Sequence, residues 1–168
     1  VEHPPRPEYT EGPVFRSYPP SSVPNRMVPA KNFLINNVEP IWEVLPAVDR
    51  IAHFQLSVRD NHQGVGISDY DEMILTFSQD AGPFVVTQPS TDDDFWFIGQ
   101  ETEIKWDVAN TDQEPINCKF VNILLSVDGG ETFPITLADT IPNNGTFSLV
   151  VPELPGTANR IKIEAVDN

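Results

Sequence analysis

Glu101-Thr102-Glu103-Ile104-Lys105-Trp106-Asp107-Val108 decides the fold class. Polar side chains alternate with Ile104, Trp106 and Val108. This period of two lays the apolar residues on one face of an extended strand and the charges on the other. The pattern recurs in His53-Phe54-Gln55-Leu56-Ser57-Val58 and in Arg160-Ile161-Lys162-Ile163-Glu164-Ala165. Each predicts a half-buried strand with one wet face. More apolar runs predict more deeply buried strands: Met73-Ile74-Leu75-Thr76-Phe77, Phe84-Val85-Val86, Val121-Asn122-Ile123-Leu124-Leu125 and Thr146-Phe147-Ser148-Leu149-Val150-Val151. Asp128-Gly129-Gly130, Asn143-Asn144-Gly145 and Ala81-Gly82-Pro83 place turn chemistry between them. No window of about eleven residues or more carries a helical stripe, so the chain reads as all-β.

Upstream of these strands, residues 1–30 hold eight of the seventeen prolines. Proline lacks a ladder donor and has a fixed φ, so this segment is neither a central strand nor a helix interior. It reads as an extended arm, with Val14, Phe15 and Tyr18 as the residues that would lie against a surface. A flexible linker is the alternative. Phe54-Gln55-Leu56-Ser57-Val58-Arg59-Asp60-Asn61 aligns with Ile161-Lys162-Ile163-Glu164-Ala165-Val166-Asp167-Asn168, an alternating strand running into Asp-Asn in both copies. The repeat predicts two β-sandwich domains of similar plan, residues 31–80 and 81–168, with a boundary near Gln79 to Pro83. In the first copy a loop and a further strand follow Asp60-Asn61. By analogy the second sandwich lacks its closing strand, through truncation or because a partner supplies one.

Ten Lys+Arg stand against 25 Asp+Glu, a formal net charge of −15 over 168 residues. Such a balance argues against nucleic acid, which needs a basic surface, and against an anionic membrane surface. No stretch approaches the ~18 consecutive apolar residues of a spanning helix, so membrane insertion is not expected. Residues 1–10, Pro-rich and polar, fit neither a signal peptide nor a transit peptide. The lone Cys118 allows no intramolecular disulfide and no multi-cysteine zinc site.

His3, His53 and His62 lack metalloprotease spacing, no Gly-rich phosphate loop occurs, and no serine sits on a strand-to-helix elbow. Neither zinc nor catalysis is expected in this chain. Asp60, Asn61, Asp69, Asp71 and Glu72, read as a loop between two strands, are candidate ligands for a calcium ion stiffening a domain junction. A solvated acidic loop is the other reading of the same residues. Asp92, Asp93 and Asp94 form a second acidic run.

Ser126-Val127-Asp128-Gly129-Gly130-Glu131-Thr132-Phe133 has the form Ser-x-Asp-x-Gly-x-Thr-aromatic and resembles the Asp-box hairpin. There the Ser and Asp side chains bond turn amides and the aromatic pins the hairpin, a structural role. Trp106 and Trp42 are expected in cores. Trp96, between Phe95 and Phe97, is read as covering a sandwich end, with glycan stacking as the alternative. Asn144-Gly145-Thr146 fits an N-glycan sequon, and Asp139-Thr140-Ile141 resembles a Bacteroidetes O-glycosylation site, so Asn144 and Thr140 are candidate attachment points.

Pro13-Val14-Phe15-Arg16-Ser17, residues 54–61, Asp71-Glu72-Met73, Ala81-Gly82-Pro83-Phe84, Ile116-Asn117-Cys118, residues 121–134 and residues 160–168 form an ordered series. Together they resemble the region that follows the catalytic domain in secreted reprolysin-like zinc metalloproteases of Bacteroidetes and related bacteria. The resemblance implies two immunoglobulin-like or fibronectin-type modules of a large exported protein, often one with a C-terminal type IX sorting domain. In that family further sequence precedes the Phe15-Arg16 stretch and a last strand follows the terminal Asp-Asn. The family's zinc motif has no counterpart here, so no catalytic residue carries over. The expected function is a non-catalytic structural or interaction module, extracellular or on the cell surface. Its expected partners are other domains of the parent chain or neighbouring subunits. The alternative is a subunit of an extracellular filament or adhesin, in which a partner strand completes the second sandwich.

Overall fold

The computed structural model describes residues 3–23, 25–60, 62, 64–91 and 93–166. Among these residues there is one short helix, α1 (Lys31–Ile35), and there are eight strands: β1 (Arg50–Arg59), β2 (Ser68–Phe77), β3 (Val85–Gln88), β4 (Glu101–Asp107), β5 (Phe120–Ser126), β6 (Ile135–Pro142), β7 (Thr146–Val150) and β8 (Arg160–Ala165). They form three antiparallel sheets, ordered β1-β2, β3-β4-β7 and β6-β5-β8. The chain is nearly all-β, and no described helix is long and apolar enough to cross a bilayer. It divides into two compact units, Val1–Gln79 and Asp80–Asn168.

In the second unit the two three-stranded sheets share one apolar core. Alternation works as the sequence predicts: Ile104 and Trp106 of β4 are buried while Glu101, Glu103, Lys105 and Asp107 face water. Val121 and Ile123 of β5, Cys118 and Ala138 complete the buried cluster. Phe147 and Leu149 of β7 and Ile161 and Ile163 of β8 pack around it. Gly145 makes the approach of β7 to β4 possible. Its φ is +90°, and a Cβ there would lie 3.2 Å from the Trp106 carbonyl oxygen.

β6 is a strand that the period-two signal does not reveal. Its register against β5 shifts between Val121 and Ile123 and again between Ile123 and Leu124, so its apolar residues fall out of step. At the first shift Asp139 and Thr140 bulge out, Thr140 sits at φ +51°, and the Asn122 carboxamide oxygen accepts the Thr140 amide at 2.8 Å.

The first unit departs from the expected sandwich. Its described residues hold only the short helix α1 and the β1-β2 hairpin, and the described residues before the hairpin cover part of it without forming strands. The register pairs Phe54 with Met73, Leu56 with Asp71, Val58 with Asp69, Ala52 with Leu75 and Arg50 with Phe77. One hairpin face is therefore mostly apolar, and the other carries Ile51, His53, Gln55, Ser57 and Arg59. Phe15 covers the apolar face at its base, 5.4 Å from the Phe54 ring and 6.3 Å from the Phe77 ring. On the same face Leu56, Val58, Met73 and Leu75 remain exposed. The deep burial expected for residues 73–77 is thus not found, because among the described residues of this unit no second layer of strands lies over them.

Hydrogen bonds fasten the N-terminal residues to this base. The Val44 amide donates to the Val14 carbonyl at 3.1 Å and the Ala47 amide to the Pro7 carbonyl at 2.9 Å. The Arg50 guanidinium donates to the Tyr9 and Gly12 carbonyls at 2.8 and 2.7 Å.

Candidate functional site

Polar groups in the second unit converge first at the β5–β6 turn. Ser126, wholly buried at the end of β5, donates to Asp128 Oδ1 at 2.6 Å, and its Oγ accepts the Gly130 amide at 2.8 Å. Asp128 also accepts the Thr132 amide at 2.9 Å and the Thr132 hydroxyl at 2.6 Å. Gly129 and Gly130 supply the left-handed backbone, with φ +78° and +95°. The Ser126 and Thr132 hydroxyls, with the Thr132 amide, hold the Asp128 carboxyl far below the ordinary carboxylate range. Phe133 lies under the Lys162 ammonium, 5.6 Å from ring centroid to Nζ. The motif thus closes a turn, as its resemblance to the Asp-box implies, and every one of these atoms is occupied by its neighbours.

Asn143 is a second buried polar centre, one that the sequence suggests only as a turn residue. Its carboxamide oxygen accepts Trp106 Nε1 at 2.8 Å, and its Nδ2 donates to the Cys118 carbonyl at 3.0 Å and to Thr111 Oγ1 at 3.2 Å. One side chain thereby ties β4, the 108–119 loop and the β6–β7 turn together. Trp106 is a core residue, as its place in the alternation predicts.

The first unit holds a third centre, which has no motif. Glu43, 4% exposed, accepts the Tyr18 hydroxyl, Arg26 at 2.5 Å and the Ala30 amide at 2.7 Å. Burial alone would raise the Glu43 pKa, but the hydrogen bonds from Tyr18, Ala30 and Arg26 outweigh it and the carboxyl sits below its usual value. The same bond to Glu43 raises Tyr18. Arg26 also stacks on the Tyr18 ring at 3.7 Å. Nearby, Arg16 lies 4.9 Å over Trp42 beside an open cleft of about 350 Å³ lined by Pro5, Pro13, Phe15 and Ser17. Trp42 is therefore half-buried at a cleft wall rather than inside a core.

The acidic residues put forward for calcium are distributed differently from the sequence expectation. Asp69, Asp71 and Glu72 lie within β2, not in a loop. Asp69 and Asp71 share the face of Val58 and Leu56, whereas Glu72 stands on the opposite face beside Gln55. Asp60 is at the strand end, where its Oδ1 accepts the Ile67 amide at 2.7 Å. Asn61 lies outside the described residues. Among the described residues no group of three or more His, Cys, Asp or Glu gathers as a metal site.

In the second acidic run Asp92 is also outside the described residues. Asp94 accepts the Ser90 and Thr91 amides at 2.7 and 2.9 Å, which lowers its pKa and makes it a turn residue. Trp96 is half-buried against the core, while Phe95 and Phe97 on either side are exposed. Asn144 and Thr140 are both exposed. No protein-family model, curated protein or solved structure matches the chain.

Proposed function

We propose that this chain is a non-catalytic segment whose second unit is an immunoglobulin-like or fibronectin-type module and whose first unit, a hairpin covered by a Pro-rich arm, is part of another, and that it spaces or presents other domains of an extracellular bacterial protein. The parent that fits best is a secreted reprolysin-like metalloprotease, whose ancillary region the ordered motifs resemble. One observation carries the non-catalytic reading. The described buried polar residues are Glu43, Ser126 and Asn143, and each is committed to fastening turns or segments of the chain to one another. Side chains so engaged serve architecture, whereas a catalytic group needs an atom turned toward substrate.

The open reading frame that carries this chain tests the parent. A His-Glu-x-x-His motif encoded in the complete frame supports the protease association, and a complete frame without one overturns it. Turnover of peptide or ester substrates by the purified chain would overturn the non-catalytic reading itself.

A further inference from the structure

The sequence sets an Asp or Asn directly before a glycine twice, at Asp128-Gly129 and at Asn144-Gly145. Such a pair has its own chemistry. Glycine carries no Cβ to shield its peptide nitrogen, so that nitrogen can reach the side-chain carbonyl carbon of the residue before it. The fold treats the two pairs in opposite ways. At Asp128-Gly129 both reacting groups are engaged. The Gly129 amide donates to the Ala158 carbonyl at 2.9 Å, and the Asp128 carboxylate accepts the Ser126 and Thr132 hydroxyls and the Thr132 amide. A carboxylate held ionised in this way is a poor electrophile.

Asn144-Gly145, in the β6–β7 turn, is arranged for reaction. Asn144 is exposed and its carboxamide is neutral. The Asn144 amide donates to the Pro142 carbonyl at 3.0 Å, and the Trp106 amide donates to the Gly145 carbonyl at 3.0 Å. The Thr146 amide donates to Asn144 Oδ1 at 3.3 Å. Among the described residues no hydrogen bond engages the Gly145 amide. The bond from Thr146 closes an Asx turn, which folds the carboxamide over the peptide that follows it and turns its carbon toward the Gly145 nitrogen. The same N–H stands where negative charge would develop on Oδ1.

We propose that Asn144 is a self-modification site, converted through a cyclic imide into aspartyl and isoaspartyl forms by the Gly145 amide and water. Hydroxide removes the Gly145 amide proton, and the nitrogen attacks Asn144 Cγ. As the tetrahedral oxyanion collapses, the bond from Cγ to Nδ2 breaks, and Nδ2 takes a proton from water and leaves as ammonia. Water then opens the imide. Addition at Cγ restores the original main chain and leaves a side-chain carboxylate. Addition at the main-chain carbonyl carbon leaves the chain running through Cβ and Cγ, one methylene longer. Both products add a negative charge to the turn. The longer one separates Asn143, which holds Trp106 Nε1 and the Cys118 carbonyl, from Gly145, whose carbonyl holds the Trp106 amide. The reaction therefore slowly loosens the clamp on β4, with no enzyme required.

Ageing the full chain at mildly alkaline pH, folded and in urea, with peptide mass spectrometry at intervals, tests this. The folded chain is expected to gain about 1 Da at the peptide bearing Asn144, at a rate rising in proportion to hydroxide and no slower than in urea. Isoaspartate should appear at Asp128 only in urea. Thr146→Pro removes the amide donor at the first residue of β7, a place where proline is tolerated, and should slow the reaction severalfold in the folded protein. The isoaspartyl fraction, separated by anion exchange, should unfold at lower urea than the fresh chain. A folded chain that keeps Asn144 intact while the chain in urea loses it overturns the proposal, and that comparison decides even where Thr146→Pro does not fold. A folded Thr146→Pro reacting at the unmodified rate overturns it as well, as does an isoaspartyl fraction with an unchanged midpoint.

Discussion

Ser126→Ala is the most informative perturbation of the second unit. The substitution removes one oxygen and leaves the shape of a wholly buried residue almost unchanged, so cavity formation contributes little. It strands the buried Gly130 amide, whose acceptor at 2.8 Å is that oxygen, and takes from Asp128 the hydroxyl that donates at 2.6 Å. An amide left buried without an acceptor costs about 1–3 kcal/mol. For a domain of this size ~2 kcal/mol corresponds to a fall in Tm of roughly 8–16 °C. Thr132→Val is the control. It removes a hydroxyl from the same Asp128, but at an exposed position where water replaces the lost bond, and should stay within about 0.5 kcal/mol. Urea melts of both variants, followed by near-ultraviolet circular dichroism, give the comparison. Equal effects from the two substitutions, or a Ser126→Ala midpoint matching the unmodified chain, would refute the view that this buried hydroxyl holds the turn.

Truncating Ile104 or Ile123 to Ala, both 0% exposed, should cost about 2–5 kcal/mol. Met73→Ala on the uncovered part of the hairpin should shift stability by no more than about 0.5 kcal/mol, and denaturant midpoints separate the two cases. Asn143→Ala should cost about 1–3 kcal/mol by orphaning Trp106 Nε1 and the Cys118 carbonyl, with Trp fluorescence reporting the loosened indole. Glu43 has a folded pKa below the unfolded value of 4.5. Its contribution is therefore present above about pH 4.5 and fades as pH falls through the folded pKa. Exchange of the Ala30 amide, its hydrogen-bond partner, should accelerate in that lower window, and Glu43→Gln should flatten the dependence. A profile identical in both proteins would remove Glu43 as its source.

Legibility in the sequence follows how regular the burial is. β8 spans the same residues as its alternating pattern because a strand with one covered face writes a period of two into the chain. β4 does so within one residue. β6 wrote no such signal, since two register shifts and the left-handed Thr140 break the phase that alternation depends on. Residues 73–77 misled in the opposite sense. Their composition is that of a buried strand, but composition records what a surface would gain from cover, not whether a layer lies over it. The Asp128 turn was readable because all its partners fall within seven residues. Glu43 was not, since it recruits Tyr18, Arg26 and the Ala30 amide across separations of 25, 17 and 13 residues. No local pattern encodes a site assembled over that span.

The two units therefore hold their strands by different means. In the second, β4 and β5 are central strands with a neighbour on each side, and Ile104, Trp106, Val121 and Ile123 face one interior. In the first, a two-stranded hairpin has no such neighbours, and an isolated hairpin is marginal in water. What stabilises it is the covering of Phe54 and Phe77 by Phe15. Phe15 is held in place by the Val14–Val44 bond beside it, by Arg50 reaching back to Tyr9 and Gly12, and by the Glu43 network. Prolines suit such a covering segment. They lower the entropy that the unfolded chain loses on ordering, and the missing amide is no handicap where no ladder runs. The Pro-rich residues and the hairpin thus depend on each other, and loosening Glu43 should weaken protection in β1 as well as in residues 14–30, although Glu43 is in neither.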